Sequence, residues 1–268
     1  MTIETILTPA ELPGITHRDL GNTACVVFDI LRATSTFITA LQNGAREIIP
    51  AGEIPEAVAI RRERPEVLLA GERNGVKIQK GHGRPAGTSP EADKKGDTWA
   101  GWPFDHSPFD FDFGNSPREF RPEKVRGKTI VSTTTNGTRA LCACTGAKIV
   151  LASSFLNLAA TAKFLNQSAP EAILLVCSGT GENLALEDVL AAGALAGLLG
   201  GEYSDATEIA ARAYLSAKAD LPAAVASSQN GRRLLAIPDL RADVAFCAQR
   251  DIFKIVAAMN GDGAIRLI

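Results

Sequence analysis

The sequence predicts an α/β protein, a three-layer α/β/α architecture built on a mixed, mostly parallel sheet. Two observations carry that expectation. Short apolar runs alternate with helical patterns along most of the chain, the arrangement that strand–helix units produce. Those runs are apolar at nearly every position rather than every second one, as in a sheet covered on both faces. No repeat at the usual solenoid periods competes with this reading.

The elements follow in order. Ala24–Phe28 (ACVVF) is a short β-rich run, and Ala33–Gln42 reads as a helix stopped by Asn43-Gly44. Glu47–Pro50 is a strand, Pro55–Arg64 an amphipathic helix and Val67–Ala70 a strand. After a long irregular stretch come strand Thr129–Thr133, helix Gly137–Cys144, strand Lys148–Ala152, helix Leu158–Asn166 and strand Ala172–Cys177. Helical pattern returns from Leu186 to Leu199 and from Asp205 to Ala219, and the alanine-rich Val189–Leu199 reads as buried. The region from Gly81 to Asp110 is rich in Gly, Pro and charge, holds both tryptophans and shows no period. It reads as a flap or loop inserted in a single domain, 1–268.

Composition narrows the function. The 28 basic and 30 acidic residues give a formal charge of −2, which argues against nucleic acid as a partner. No apolar run has membrane-spanning length and the first residues lack a signal-peptide pattern, so no membrane partner is expected and the protein reads as cytoplasmic. Cys25, Cys142, Cys144, Cys177 and Cys247 are irregularly spaced and read as reduced, buried thiols without a zinc pattern. The chain has no P-loop and no G-x-S-x-G elbow, and Asp29-Ile30-Leu31 lacks the second aspartate of the aspartyl-phosphate hydrolases that use D-x-D. His17, His82 and His106 are scattered, and Cys25 and Arg32 are wrongly spaced for a cysteine phosphatase loop.

Four strand ends carry polar residues, the places where open α/β sheets bind ligands. The first is Asp29 to Thr36. Arg32, Thr34, Ser35 and Thr36 at a helix N-terminus can cradle an oxyanion, and Asp29 can hold Mg²⁺ or handle a proton. The same residues also make an ordinary helix cap, with Arg32 pairing Asp29. The second is Gly71-Glu72-Arg73, which equally suits a surface ion pair. The third runs from Thr133 through Thr135, Asn136 and Thr138 to Arg139, with hydroxyls that bind an anion or cap a helix. The fourth is Cys177 to Glu182, where Gly179 and Gly181 allow close backbone approach. It is not a dinucleotide fingerprint, because Leu184 stands where the third glycine belongs. Glu187 and Asp188 follow at a helix start, where the dipole favours acids.

Taken together, D-I-L-R-A-T-S-T, L-A-G-E-R-N-G-V-K, F-D-F-G-N-S-P-R-E-F, T-T-T-N-G-T-R-A-L and C-S-G-T-G-E-N-L-A-L-E-D-V-L-A-A-G resemble the 2-phosphosulfolactate phosphatases, called ComB. N-G-R-R-L and D-V-A-F-C-A-Q-R-D near the C-terminus are also similar to that family. The resemblance implies a three-layer, Mg²⁺-dependent phosphatase that converts 2-phospho-3-sulfolactate to 3-sulfolactate and phosphate, a step in coenzyme M biosynthesis. It carries function onto Asp29, Arg32, Thr34, Ser35, Glu72, Arg73, Asn115, Ser116, Thr135, Asn136, Thr138, Gly179, Glu182, Glu187 and Asp188. One departure stands out. In the family the Gly-Glu-Arg turn is followed closely by the Gly-Asn-Ser-Pro element, whereas here Gly81–Asp110 intervenes. If the element still docks, the insertion forms a flap in which Trp99 and Trp102 alter substrate choice.

The mechanism this implies has Arg32 and Arg73 clamping anionic oxygens of a small phosphorylated acid. The hydroxyls and Asn115, Ser116, Asn136, Gly179 and Glu182 bind substrate. Mg²⁺ is held by some subset of Asp29, Glu72, Glu187 and Asp188. Asp29 is placed as metal ligand, base or nucleophile. Another phosphorylated 2-hydroxy acid as substrate, a lyase or isomerase on the same scaffold, and a non-catalytic anion-binding protein are the rival readings. A homodimer suits a compact enzyme of this kind.

Overall fold

The apolar runs form the strands. The computed structural model describes residues 1–73, 75–80 and 107–268. Residues 81–106 of the expected flap, with Trp99 and Trp102, lie outside the described residues. The strands are β1 (Thr2–Ile6), β2 (Thr23–Phe28), β3 (Glu47–Pro50), β4 (Leu68–Arg73), β5 (Val76–Lys77), β6 (Thr129–Thr133), β7 (Ile149–Ser153), β8 (Ala172–Cys177), β9 (Glu202–Tyr203), β10 (Ala257–Met259) and β11 (Ile265–Leu267). The helices are α1 (Leu12–Ile15), α2 (Ala33–Gln42), α3 (Ile54–Glu63), α4 (Pro122–Val125), α5 (Gly137–Ala143), α6 (Leu158–Ser168), α7 (Leu186–Ala196), α8 (Asp205–Ala217), α9 (Leu221–Ser227), α10 (Gln229–Leu235) and α11 (Arg241–Cys247). Among the described residues no helix is long and apolar enough to cross a membrane.

The strands join one sheet in the order β5-β4-β6-β3-β11-β10-β7-β2-β8-β1-β9. β2 pairs in parallel with both β7 and β8, and β6 in parallel with β3 and β4. The hairpin β10–β11 enters the middle antiparallel to β7 and β3. The sheet is therefore mixed and mostly parallel, with helices on both sides. Alternate residues of the central strands show this directly. Val26 and Phe28 of β2 and Leu175 of β8 pack in a core with α6 to α11. Cys25, Val27, Leu174 and Val176 point the other way, into a core with α1, α2 and α5. That split follows from the two-residue period of a strand and explains why every residue of β2 is buried.

Phe37, Ile38 and Leu41 of α2 share their core with Ile48 of β3, Ala70 of β4, Ile130 of β6, Val176 of β8 and Ile265 of β11. These strands span most of the sheet's order, so the sheet curves around α2. Curvature brings strand ends that are distant in the order to one place.

Several boundaries differ from the sequence reading. β4 continues through Glu72 and Arg73, because these two pair antiparallel with Lys77 and Val76. Helix α3 begins and ends one residue earlier than expected, α7 stops at Ala196, and α8 stops at Ala217 before a 3₁₀ turn. The cysteines are free, and four are buried, but Cys142 is exposed because it faces outward on the short helix α5.

The alanine-rich stretch has a packing reason. An added Cβ on Gly193 of α7 would sit 2.0 Å from the carbonyl oxygen of Ala210 in α8, so small residues let the two backbones touch. Substituting Gly193→Ala is expected to cost about 2–3 kcal/mol through overpacking, read as a lower midpoint in urea unfolding at unchanged slope.

Candidate active site

The curved sheet brings the four strand ends to one cavity of about 300 Å³, lined among others by Asp29, Arg32, Glu72, Asn115, Thr135, Asn136 and Gly179. Asp29 leaves β2 at its C-terminal end. Its Oδ1 accepts from the Ala33 N–H at 2.9 Å, satisfying a donor in the first turn of α2. Its Oδ2 lies against Gly137, where an added Cβ would approach to 2.7 Å. Glycine at the start of α5 is thus what lets the third turn reach the first.

Glu72 holds the third turn from the other side. Its Oε1 accepts from the Thr135 N–H and Oγ1, both at 3.2 Å, and its Oε2 accepts from the Gly75 N–H at 2.6 Å. Asn136 Nδ2 donates to the Gly179 carbonyl at 2.6 Å, joining the third turn to the fourth. In that fourth turn Gly179 and Gly181 have φ of 65° and 59°, left-handed values that glycine adopts freely. Asp188, buried at the start of α7, accepts from the Ile30 N–H at 2.8 Å and the Gly179 N–H at 3.0 Å.

Electrostatics set this cluster apart. Burial pushes the Asp29 carboxyl up to about 7. The Ala33 N–H and Arg32 oppose the rise, while Glu72 and Glu187 add to it. Burial, then Glu187 and Asp29, push Asp188 well above the usual carboxylate range against its two N–H donors. Glu187 Oε1 accepts from Asn230 Nδ2 at 2.7 Å, but its buried Oε2, like Asn136 Oδ1, has no hydrogen-bond partner among the described residues. Buried acceptors without donors beside crowded carboxylates are the chemistry that takes a hard cation. Among the described residues no three His, Cys, Asp or Glu side chains form a ready-made cage. Mg²⁺ is commonly held by one or two carboxylates plus waters and phosphate oxygens. Asp29 and Glu187, with Asn136 Oδ1, fit that pattern. Glu72 and Asp188 do not, since both oxygens of each already accept N–H or O–H donors.

The structure gives several expected contact residues another task. Thr34 Oγ1 bonds back to the Asp29 carbonyl, Ser35 Oγ to the Ile30 carbonyl and Thr138 Oγ1 to the Thr134 carbonyl. Thr36 Oγ1 donates to the Asn115 carbonyl at 2.8 Å, which seats the Asn115-Ser116 element beside α2. All four hydroxyls are buried and do not line the cavity, because first-turn hydroxyls fold back on nearby carbonyls. Arg73 donates to the Glu72 and Thr133 carbonyls and to Thr133 Oγ1, outside the cavity lining. Glu182 is exposed and pairs with Arg139 at 3.1 Å. Arg32 does not pair with Asp29. Its Nη1 donates to Asp243 Oδ2 at 2.8 Å and its Nη2 to the Gly75 carbonyl at 3.1 Å.

Asp243, Asn230 and Arg233 are the functional candidates sequence reasoning missed. Asp243 is fully buried and also accepts from Ser116 Oγ at 2.7 Å. Asn230 bridges Glu187 and Thr180 Oγ1, and Arg233 lines the cavity. All three stand inside the two C-terminal motifs quoted above, so the signal was present without a role attached.

A family model for 2-phosphosulpholactate phosphatase matches residues 7–98 and 106–262. The chain belongs to the 2-phosphosulfolactate phosphatase family. Proteins named probable 2-phosphosulfolactate phosphatase, from Thermotoga petrophila, Caldanaerobacter subterraneus and Gloeobacter violaceus, are 39%, 35% and 31% identical to it. The matches cover 88%, 94% and 99% of this chain and 89%, 94% and 98% of those relatives. Membership in a 2-phosphosulfolactate phosphatase family makes the protein a phosphoric monoester hydrolase.

Two outcomes are expected of the site. Arg32→Ala takes from buried Asp243 its closest ion-pair partner and leaves it Ser116 and the longer 3.8 Å contact to Arg118, and is expected to destabilise the fold by about 3 kcal/mol in chemical denaturation. Asp29 has a folded pKa raised above its unfolded value, so its contribution to stability is full below about 3.8 and lost as pH rises through about 7. Metal-free Asp29→Asn protein is therefore expected to melt above wild type at pH 8 and to lose that advantage progressively as pH falls from about 7 toward about 3.8, as followed by circular dichroism.

Proposed function

We propose that the protein is a Mg²⁺-dependent phosphatase acting on the phosphate ester of a small acidic 2-hydroxy acid, 2-phospho-3-sulfolactate, and releasing 3-sulfolactate and phosphate. The observation that carries this reading is Asp29. It is a nearly buried carboxyl at a strand end, lifted toward neutrality by burial and by neighbouring acids, in a cavity shared with two arginines. Family membership names the reaction, since the relatives bear that enzyme's name.

Asp29 and Glu187, with Asn136 Oδ1, would hold Mg²⁺. When bound, the ion neutralises charge on the phosphoryl group and polarises it toward attack. The chain's own groups do the rest. Glu72 fixes the Thr135-Asn136 turn through two donors and the Gly75 turn through a third. Asp188 fixes the Gly179 turn, whose left-handed glycines bring bare backbone to the cavity wall. Asn230 holds Glu187 by one oxygen and leaves the other free. The rigid turns place donors before the substrate arrives, so little reorganisation accompanies the reaction.

Phosphate release from 2-phospho-3-sulfolactate, measured with and without Mg²⁺, tests the reading. Asp29→Asn is expected to lower kcat/KM by about 100-fold or more, and Arg32→Ala to lower it as well when assayed below its melting temperature. Full Mg²⁺-dependent activity in both variants would sink the proposal. A ligand that raises Tm without turnover would favour a binding protein instead.

A further inference from the structure

Resting on the phosphatase reading, we infer that Arg233 recognises the second acidic group of the substrate and so determines which phosphate esters are accepted. The argument starts from where positive charge remains available. Arg32 lines the cavity, but its guanidinium faces Asp243 at 2.8 Å with both groups almost fully buried. Its charge is cancelled before any ligand arrives. Arg73 is committed to the β4–β6 ends and does not line the cavity. Arg139 is paired with Glu182. Arg233 also lines the cavity, is exposed, and has no hydrogen bond or ion pair among the described residues.

Its place in the fold matches the task. Helix α10 carries Asn230 and Arg233 three residues apart, hence on one face. Asn230 is anchored to Glu187 and Thr180, which fixes that face over the fourth turn. The carboxylates Asp29 and Glu187 lie deeper, where the phosphoryl group and Mg²⁺ would sit. Arg233 stands at the solvent side of the same cavity, within reach of whatever the phosphate ester carries on its other end. A guanidinium matches a planar carboxylate with two parallel hydrogen bonds and suits a sulfonate through the same donors. An uncharged alcohol portion would leave it without a partner.

The test uses the intact protein with Mg²⁺ and a matched set of esters: 2-phospho-3-sulfolactate, 2-phospholactate and isopropyl phosphate. The last replaces the carboxylate of phospholactate by a methyl group. Arg233→Ala is expected to lower the ratio of kcat/KM for the acidic esters to that for isopropyl phosphate by about 10- to 100-fold, the worth of a charged hydrogen bond. Most of the loss should appear in KM, and Arg233→Lys should restore part of it. Arg212→Ala, which removes an equal charge from the exposed face of α8, should leave the ratio unchanged. An unchanged ratio in Arg233→Ala would overturn the inference, as would an equal loss on all three esters, which would place Arg233 at the phosphoryl group. If wild type hydrolyses none of them, the phosphatase reading fails, and calorimetric binding of the same compounds to wild type and Arg233→Ala decides this inference separately.

Discussion

The site depends on one carboxylate that never meets the solvent. Asp188 accepts a backbone N–H from Ile30 beyond β2 and another from Gly179 beyond β8, and so ties two strand-end turns to the first turn of α7. A buried acid normally costs the fold unless its lone pairs are filled. Here the two donors fill them and, in doing so, set the spacing between the first and fourth turns. The close contact of α7 with α8 at Gly193 seats the helix that carries Asp188. Packing far from the cavity is therefore part of the geometry at the cavity.

That arrangement crowds negative charge. Glu72 and Glu187 help raise the Asp29 carboxyl, and Glu187 and Asp29 help raise Asp188, yet the four acids divide into two kinds. Glu72 and Asp188 have their oxygens filled by backbone and hydroxyl donors and act as struts. Asp29, in the cavity wall, and the buried Glu187 each keep an oxygen without a donor. The proposed cation would offset that crowding and so couple binding to stability, as metal sites commonly do.

Charge compensation follows the same logic on the basic side. Arg32 stands where an anion contact was expected, but the fold sends Asp243 from α11 to meet it, and Ser116 fills Asp243's other oxygen. The triad joins the first turn, the Asn115-Ser116 element and the C-terminal helices into one buried network. Its worth is geometric rather than attractive, since a buried ion pair adds little net stability while breaking it costs much.

The sequence by itself determined the elements and the addresses of the site. Continuous apolar runs such as ACVVF and AILLVC can only be strands buried on both faces, and the Asn43-Gly44 stop ended α2 where the pattern said. Turn residues at strand ends marked all four walls of the cavity. The hairpin β10–β11 escaped because each strand has only three residues, although Asn260-Gly261-Asp262-Gly263 between them is a turn signal. What only the tertiary structure decided was the partner of each side chain. Nothing local says that Thr34 and Ser35 turn back to carbonyls, that Glu72 and Asp188 are struts, or that Asp243, over two hundred positions away, neutralises Arg32. Those outcomes rest on the curvature of the sheet around α2 and on which buried donors lie within reach, and both are properties of the assembled core rather than of any segment.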